Sequence, residues 1–251
     1  MPNLIYQYWN GPVPPGSIYS GRLISAYAEN IGADYRFDHD DNYTGKHAKY
    51  FDVMRPVLDE GFHHYDKVLF LDMDIYPVAG LTADVFEEPV ADIGMCEEPG
   101  MPEYRDGRQK HINGQADHDW AKRVKKRWGS IIPLDAKGRV RVFNSGVVMY
   151  SQAGMVNCRR LFVPIDDYIQ VIHGTKRMSG FYAMDQNYLD AMVHMEGVDF
   201  TELPVEWNRQ VHGKDDGSRY DERTPDTNFV HIQLSGADDW DDAALDKIVN
   251  P

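Results

Sequence analysis

Short apolar runs alternate with amphipathic stretches from the first residues onward, the pattern of an α/β chain. Leu4 to Tyr8 predicts a first strand, closed by Asn10-Gly11-Pro12 and the turn-forming Pro14-Pro15-Gly16. Ser20 to Asn30 predicts a helix and Asp34 to Phe37 a short second strand. Lys46 to Glu60 predicts a further helix with Phe51, Met54, Val57 and Leu58 on one face, kinked or broken at Pro56. In Lys67-Val68-Leu69-Phe70-Leu71 every position after the lysine is apolar, as in a central strand covered on both faces by helices. Ala91 to Cys96 adds a strand. From Glu98 to Arg141 the chain is charged and weakly periodic, which predicts a helix over Ala116 to Trp128 within a loop or lid. Regular pattern returns with a strand at Val140 to Tyr150, helices at Ile165 to Ile172 and Ala183 to Met195, strands at Phe200 to Leu203 and Asn228 to Gln233, and a terminal helix at Asp239 to Val249. Neither a repeat nor a linker divides the 251 residues. The expected organisation is one domain over 1–251 with a charged insert at about 98–141.

Composition narrows the possible partners. With 26 Lys+Arg against 40 Asp+Glu the formal net charge is −14, which argues against general nucleic-acid binding, where cations must neutralise phosphates. The cations that exist concentrate in the insert: Arg105, Arg108, Lys110, Lys122, Arg123, Lys125, Lys126 and Arg127. Cys96 and Cys158 stand in no zinc or redox spacing, so reduced thiols and a cytoplasmic location are expected. No run approaches the roughly 20 apolar residues of a membrane span, and the first residues lack a basic segment followed by a long apolar one. No transmembrane segment or leader is expected.

The segment richest in chemistry is Leu69-Phe70-Leu71-Asp72-Met73-Asp74-Ile75-Tyr76-Pro77. The strand places two carboxylates at its carboxyl end, where open α/β sheets bind ligands. On an extended chain residues i and i+2 point the same way, so Asp72 and Asp74 can converge on one hard divalent cation. Such an ion neutralises a diphosphate. A solvated turn bearing two surface acids is the plainer alternative.

Asp72-Met73-Asp74 resembles the DxD motif of metal-dependent glycosyltransferases of the GT-A fold, especially the retaining family 8-like enzymes related to glycogenin and the lipopolysaccharide galactosyltransferases. Four further segments occur in that family's order: Phe143-Asn144-Ser145-Gly146-Val147, Asp185-Gln186, Glu206-Trp207-Asn208 and Phe229-Val230-His231-Ile232. The resemblance implies a Rossmann-like nucleotide-sugar-binding domain, α/β, with a central, mostly parallel sheet flanked by helices. It implies a hexosyl transfer in glycan biosynthesis, from a nucleotide-sugar donor, a UDP-sugar foremost, to a hydroxyl of a glycan or other acceptor. It also implies Mn²⁺ or Mg²⁺ and retention of configuration. In that reading His231 joins Asp72 and Asp74 as a metal ligand, and the same histidine is otherwise a core or surface residue. Asn144 reaches sugar hydroxyls, or else hydrogen-bonds a neighbouring loop. Asp185 and Gln186 face the donor sugar, or Asp185 caps its helix. Gln7-Tyr8-Trp9 ends the first strand where related folds place the base, with Tyr8 or Trp9 offering a ring to uracil.

Lys49 approximates the basic residue used near the diphosphate, with Arg55 competing. The lysine that often follows the metal-binding histidine in the family is missing here. Either the basic insert or a cation such as Lys214 is expected to replace it. A haloacid-dehalogenase-like phosphatase also begins its motif with strand-Asp-x-Asp, but carries Thr or Val where Tyr76 stands. An inert nucleotide-sugar-binding domain is the remaining alternative.

Overall fold

The β-branched and aromatic runs build two sheets. The computed structural model describes residues 1–41, 43–45, 47, 49–106, 111–174, 178–213, 219–233 and 241–250. In chain order the elements are β1 (Leu4–Trp9), α1 (Pro15–Ile31), β2 (Asp34–His39), α2 (Arg55–Leu58), β3 (Lys67–Leu71), β4 (Ile75–Pro77), β5 (Ile93–Glu97), α3 (Met101–Asp106) and α4 (Gly114–Trp128). Then follow β6 (Phe143–Ser151), α5 (Gln152–Leu161), α6 (Ile165–His173), α7 (Asp185–Val193), β7 (Phe200–Leu203), β8 (Arg209–Gly213), β9 (Arg219–Asp221), β10 (Phe229–Gln233) and α8 (Asp242–Val249).

The larger sheet has the order β2-β1-β3-β6-β5-β7 and is parallel except for β6, which runs against both β3 and β5. Val68, Leu69 and Leu71 of β3 are fully buried, alternating between two apolar clusters on the sheet's opposite faces. That is the environment its unbroken apolar run requires. The smaller sheet, β4-β10-β8-β9, shares the chain with the larger one through the tight link from β3 to β4. Among the described residues no helix is long and apolar enough to cross a membrane, and Cys96 and Cys158 are buried free thiols.

Several expectations shift in detail. Helix α1 begins at Pro15, not Ser20, because a proline at the first helical position loses no hydrogen bond and arrives with its φ already helical. The helix expected over 46–60 breaks into 3₁₀ turns at Lys49–Met54 and Glu60–Phe62 around the single turn of α2, where Pro56 sits. Helix α5 was not foreseen; Ser151 caps it through Gly154 N–H. The terminal helix begins at Asp242, with residues 239 and 240 outside the described residues.

The insert contains more structure than a loop. Helix α4 presents Trp120 and Val124 to the main core, where both are at most 1% exposed, while Lys122, Lys125, Lys126 and Arg127 stay in water. Asn113 caps its start by accepting from Ala116 N–H, and Gly129, at φ 78°, ends it in the left-handed region.

Candidate metal centre and its surroundings

Backbone hydrogen bonds fix the link after β3. Asp72 N–H donates to Gly146 C=O at 2.9 Å, and Asp74 C=O accepts from Ile232 N–H at 2.9 Å. These bonds fasten the link to β6 on one side and to β10 on the other. Asp72, Asp74 and His231 consequently converge, with one ligand atom from each lying within 4.8 Å of the others. His231 Nε2 is 3.1 Å from Asp74 Oδ1, and the imidazole is 1% exposed.

Withdrawal from water raises the Asp72 pKa, and the neighbouring Asp74 charge raises it further against the opposing pull of His231. Burial lowers the His231 pKa, but Asp74, Asp72 and Glu98 outweigh it and leave the pKa above the usual histidine value. Two carboxylates repelling each other around one imidazole form a donor set suited to a hard divalent cation.

Three consecutive residues of β6 serve this centre in different ways. The register of β5 against β6 shifts between Met95 and Cys96, which pair with Val148 and Asn144 respectively, so Ser145 and Gly146 lie in an irregular stretch. Gly146 passes so close that a Cβ there would stand 2.6 Å from His231 Cε1, 2.8 Å from Asn144 Oδ1 and 2.9 Å from Asp72 Oδ2. Gly146→Ala is therefore expected to displace the imidazole or the carboxylate. The expected cost is about 1–3 kcal/mol of stability and about 10–100-fold in Mn²⁺ affinity, read by thermal melting and by electron paramagnetic resonance of free Mn²⁺. Ser145 donates to Asp185 Oδ2 at 2.7 Å. Burial pushes the Asp185 pKa up to about 6, held back by that hydroxyl and by the backbone N–H groups of Asp185 and Gln186 at the start of α7. Asp185 thus engages its own helix end and Ser145 together, and Gln186 beside it is half-buried.

Asn144 is 2% exposed: its Oδ1 accepts from Gly146 N–H at 2.8 Å and Asn208 Nδ2 at 2.9 Å, and its Nδ2 donates to Glu98 at 2.5 Å.

Gln7, grouped with the base-contacting residues from the sequence, lies instead beneath the Asp72 link. It is fully buried, donates to Asp72 C=O at 3.1 Å and to Ser20 Oγ at 3.2 Å, and accepts from Tyr35 at 3.0 Å. Each of its amide atoms is engaged in supporting the link. Tyr8 packs into the core at 7% exposure, whereas Trp9 remains half-buried at the end of β1, its indole N–H on Pro12 C=O at 2.9 Å. Of the two rings, Trp9 keeps open surface.

Lys49 opens a 3₁₀ turn, but its side chain lies outside the described residues, as do Lys214, Arg108 and Lys110. Arg55 is bound in ion pairs with Asp38 at 3.0 Å and Asp41 at 2.9 Å, and Arg105 is buried against Asp117 at 3.2 Å. Both guanidiniums are nearly buried and engaged by carboxylates. Sequence reasoning did not single out Glu98 or Gln210, and noted Ser145 and Asn208 only within their motifs.

No protein-family model matches the chain, and no curated protein does. Solved structures do match. Mouse xyloside xylosyltransferase 1 in its apo form aligns with TM-score 0.53 at 13% identity, over 92% of this chain and 97% of that one. A glycosyltransferase involved in the glycosylation of the major capsid of PBCV-1 aligns with TM-score 0.50 at 13% identity, over 99% of this chain and 98% of that one. At such identities the likeness is one of fold. This chain has the GT-A fold, a mixed α/β architecture with a mostly parallel central sheet flanked by helices.

Proposed function

Starting from the GT-A fold, we propose that this protein is a metal-dependent glycosyltransferase that moves a sugar from a nucleoside-diphosphate donor, a UDP-sugar foremost, to a hydroxyl of a glycan or other acceptor. The observation that carries the reading is the convergence of Asp72, Asp74 and His231 at the carboxyl end of β3. These three residues would hold Mn²⁺ or Mg²⁺, which when bound supplies Lewis-acid neutralisation of the departing diphosphate.

The remaining roles belong to the chain's own groups. Trp9 offers its ring to the base. Asp185, oriented by Ser145, places a carboxylate beside the sugar to stabilise oxocarbenium-like charge, and Gln186 binds a sugar hydroxyl. Retention of configuration is part of this proposal, and the anomeric proton of the product, read by NMR, checks it. Nothing favours the phosphatase alternative. Tyr76 fills the position of its Thr or Val and is fully buried, with its hydroxyl on Gly16 C=O at 3.1 Å.

In a protein of net charge −14 the donor's phosphates need a cation. Calorimetric titration with UDP-glucose, UDP-galactose and GDP-mannose is expected to show binding with Mn²⁺ present and at least about tenfold weaker binding after chelation. Metal-independent binding, or none with any donor, overturns the reading.

A further inference from the structure

We propose that the outer face of α4, together with two apolar side chains that follow it, is a docking surface for an anionic lipid bilayer. None of these residues belongs to the metal centre, so the docking stands or falls apart from glycosyl transfer.

Helical spacing builds the face. Asp117, Trp120 and Val124 turn inward and are at most 2% exposed. Lys122, Arg123, Lys125, Lys126 and Arg127 occupy the positions between and after them, five cations in six residues, and lie on the opposite side, all exposed except the half-buried Arg123. Among the described residues no carboxylate pairs with any of the five. Just downstream the cations are treated differently: Glu103 holds Lys137, Asp135 holds Arg139, and Glu97 and Glu202 hold Arg141.

Ordinary reasons for cations on a helix do not account for this set. Lys125, Lys126 and Arg127 answer the dipole at the end of α4, but that effect fades within one turn, and Lys122 and Arg123 precede it. The acid on the same side, Asp119, accepts a hydrogen bond from Gln115 at 3.0 Å. Solubility does not call for them either, since a net charge of −14 already supplies it.

The second observation is apolar. Ile131 is 64% exposed and Leu134 52%, while Ile132 between them is 6% exposed and fastens the segment to the core. Ile131 lies four residues past Arg127, at most about 14 Å along an extended chain. Basic and apolar groups therefore share one end of the helix. A nucleic acid or other polyanion would engage the cations and leave Ile131 and Leu134 in water. A bilayer takes both, with lipid phosphates on the Lys and Arg heads and the two aliphatic side chains at the acyl boundary. The acidic remainder of the protein does not prevent contact, because a Debye length of about 8 Å at physiological salt lets the surface sense the nearest charges foremost. Trp120 and Val124 hold the face in place beforehand, which limits the ordering cost of docking.

The test is flotation of the full chain with vesicles of phosphatidylcholine alone or of phosphatidylcholine and phosphatidylglycerol at about 7:3, in about 0.15 M salt. Wild type is expected to bind the mixed vesicles at least about tenfold more tightly than phosphatidylcholine alone. Lys125→Glu with Lys126→Glu is expected to weaken that binding about 30-fold or more. Lys125→Gln with Lys126→Gln gives the same direction if the reversed variant does not fold. Arg159→Glu with Arg160→Glu makes the same charge change on the exposed side of α5 and is expected to alter binding less than about threefold. Ile131→Ser with Leu134→Ser is expected to cost about tenfold on mixed vesicles and to leave heparin binding unchanged. Absence of binding to the mixed vesicles overturns the proposal, as does an equal loss in the α5 variant. Vesicle binding that ignores the serine substitutions overturns it in favour of a polyanion site.

Discussion

Asp74→Asn is expected to abolish metal-dependent donor binding and to lower transfer by about 10³-fold or more, since a bound ion contributes several kcal/mol to the stabilisation of a departing diphosphate. The substitution keeps size and shape but removes one of the two charges at the centre. It leaves the local backbone intact, because the bond from Ile232 N–H goes to the Asp74 main-chain oxygen. It also relieves the repulsion that Asp74 exerts on the half-buried Asp72 carboxylate. Binding and stability should therefore separate: wild type gains melting temperature when Mn²⁺ is added, whereas the variant gains nothing. Calorimetry and thermal melting with and without Mn²⁺ check both halves. A variant that binds a UDP-sugar with wild-type metal dependence would remove Asp74 from the centre.

Trp120→Ala is expected to cost about 3–5 kcal/mol of stability, the usual range for deleting a buried large aromatic. The indole is 1% exposed, donates to the Tyr168 hydroxyl at 2.9 Å and stacks on Tyr182 with centroids 6.2 Å apart. That hydroxyl in turn donates to Tyr182 C=O at 2.7 Å, so removing the indole empties space in the core and takes one partner from a buried polar group. Urea denaturation measures the change. If residues 98–141 formed a lid hinged over the molecule, the same change would leave stability within about 0.5 kcal/mol, as substitutions away from a packed core do.

The two variants probe parts of the chain that were unequally legible. β3 and its two carboxylates were plain because a run apolar on both faces has few other places to go. α4 was legible because Trp120, Val124 and Trp128 recur at helical spacing. α5 escaped notice because Met155 and Cys158 give too sparse a stripe, and because the close fit of Gly154 against the Asp92 backbone is a tertiary fact. The smaller sheet was mostly hidden: β4 and β9 have three residues each, and β8 carries Arg209, Gln210 and His212 in a strand whose partners lie far along the chain.

The site divides in the same way. Asp72, Asp74 and His231 announce themselves by chemical type at strand ends. Glu98, Asn208 and Gln210 matter only through what they touch, and a sequence does not display that. Gln7 was misplaced because strand position tells which residues reach the end of a sheet but not which way an amide turns beneath it.

The link between the two sheets also orders the events of synthesis. Asp72 and Asp74 leave the ribosome with the first third of the chain, Asn144 and Gly146 follow near its middle, and His231 arrives on β10, which must thread between β4 and β8 before the smaller sheet exists. A partly made chain therefore carries two acids at the end of a strand but no imidazole, no Asn208 and no strand holding Asp74 C=O in place. The centre closes only when the most distant contacts form, a late and slow step by the usual rule for non-local pairing. A nascent or truncated chain lacking β10 is consequently not a weaker version of the finished protein, because it has no assembled centre.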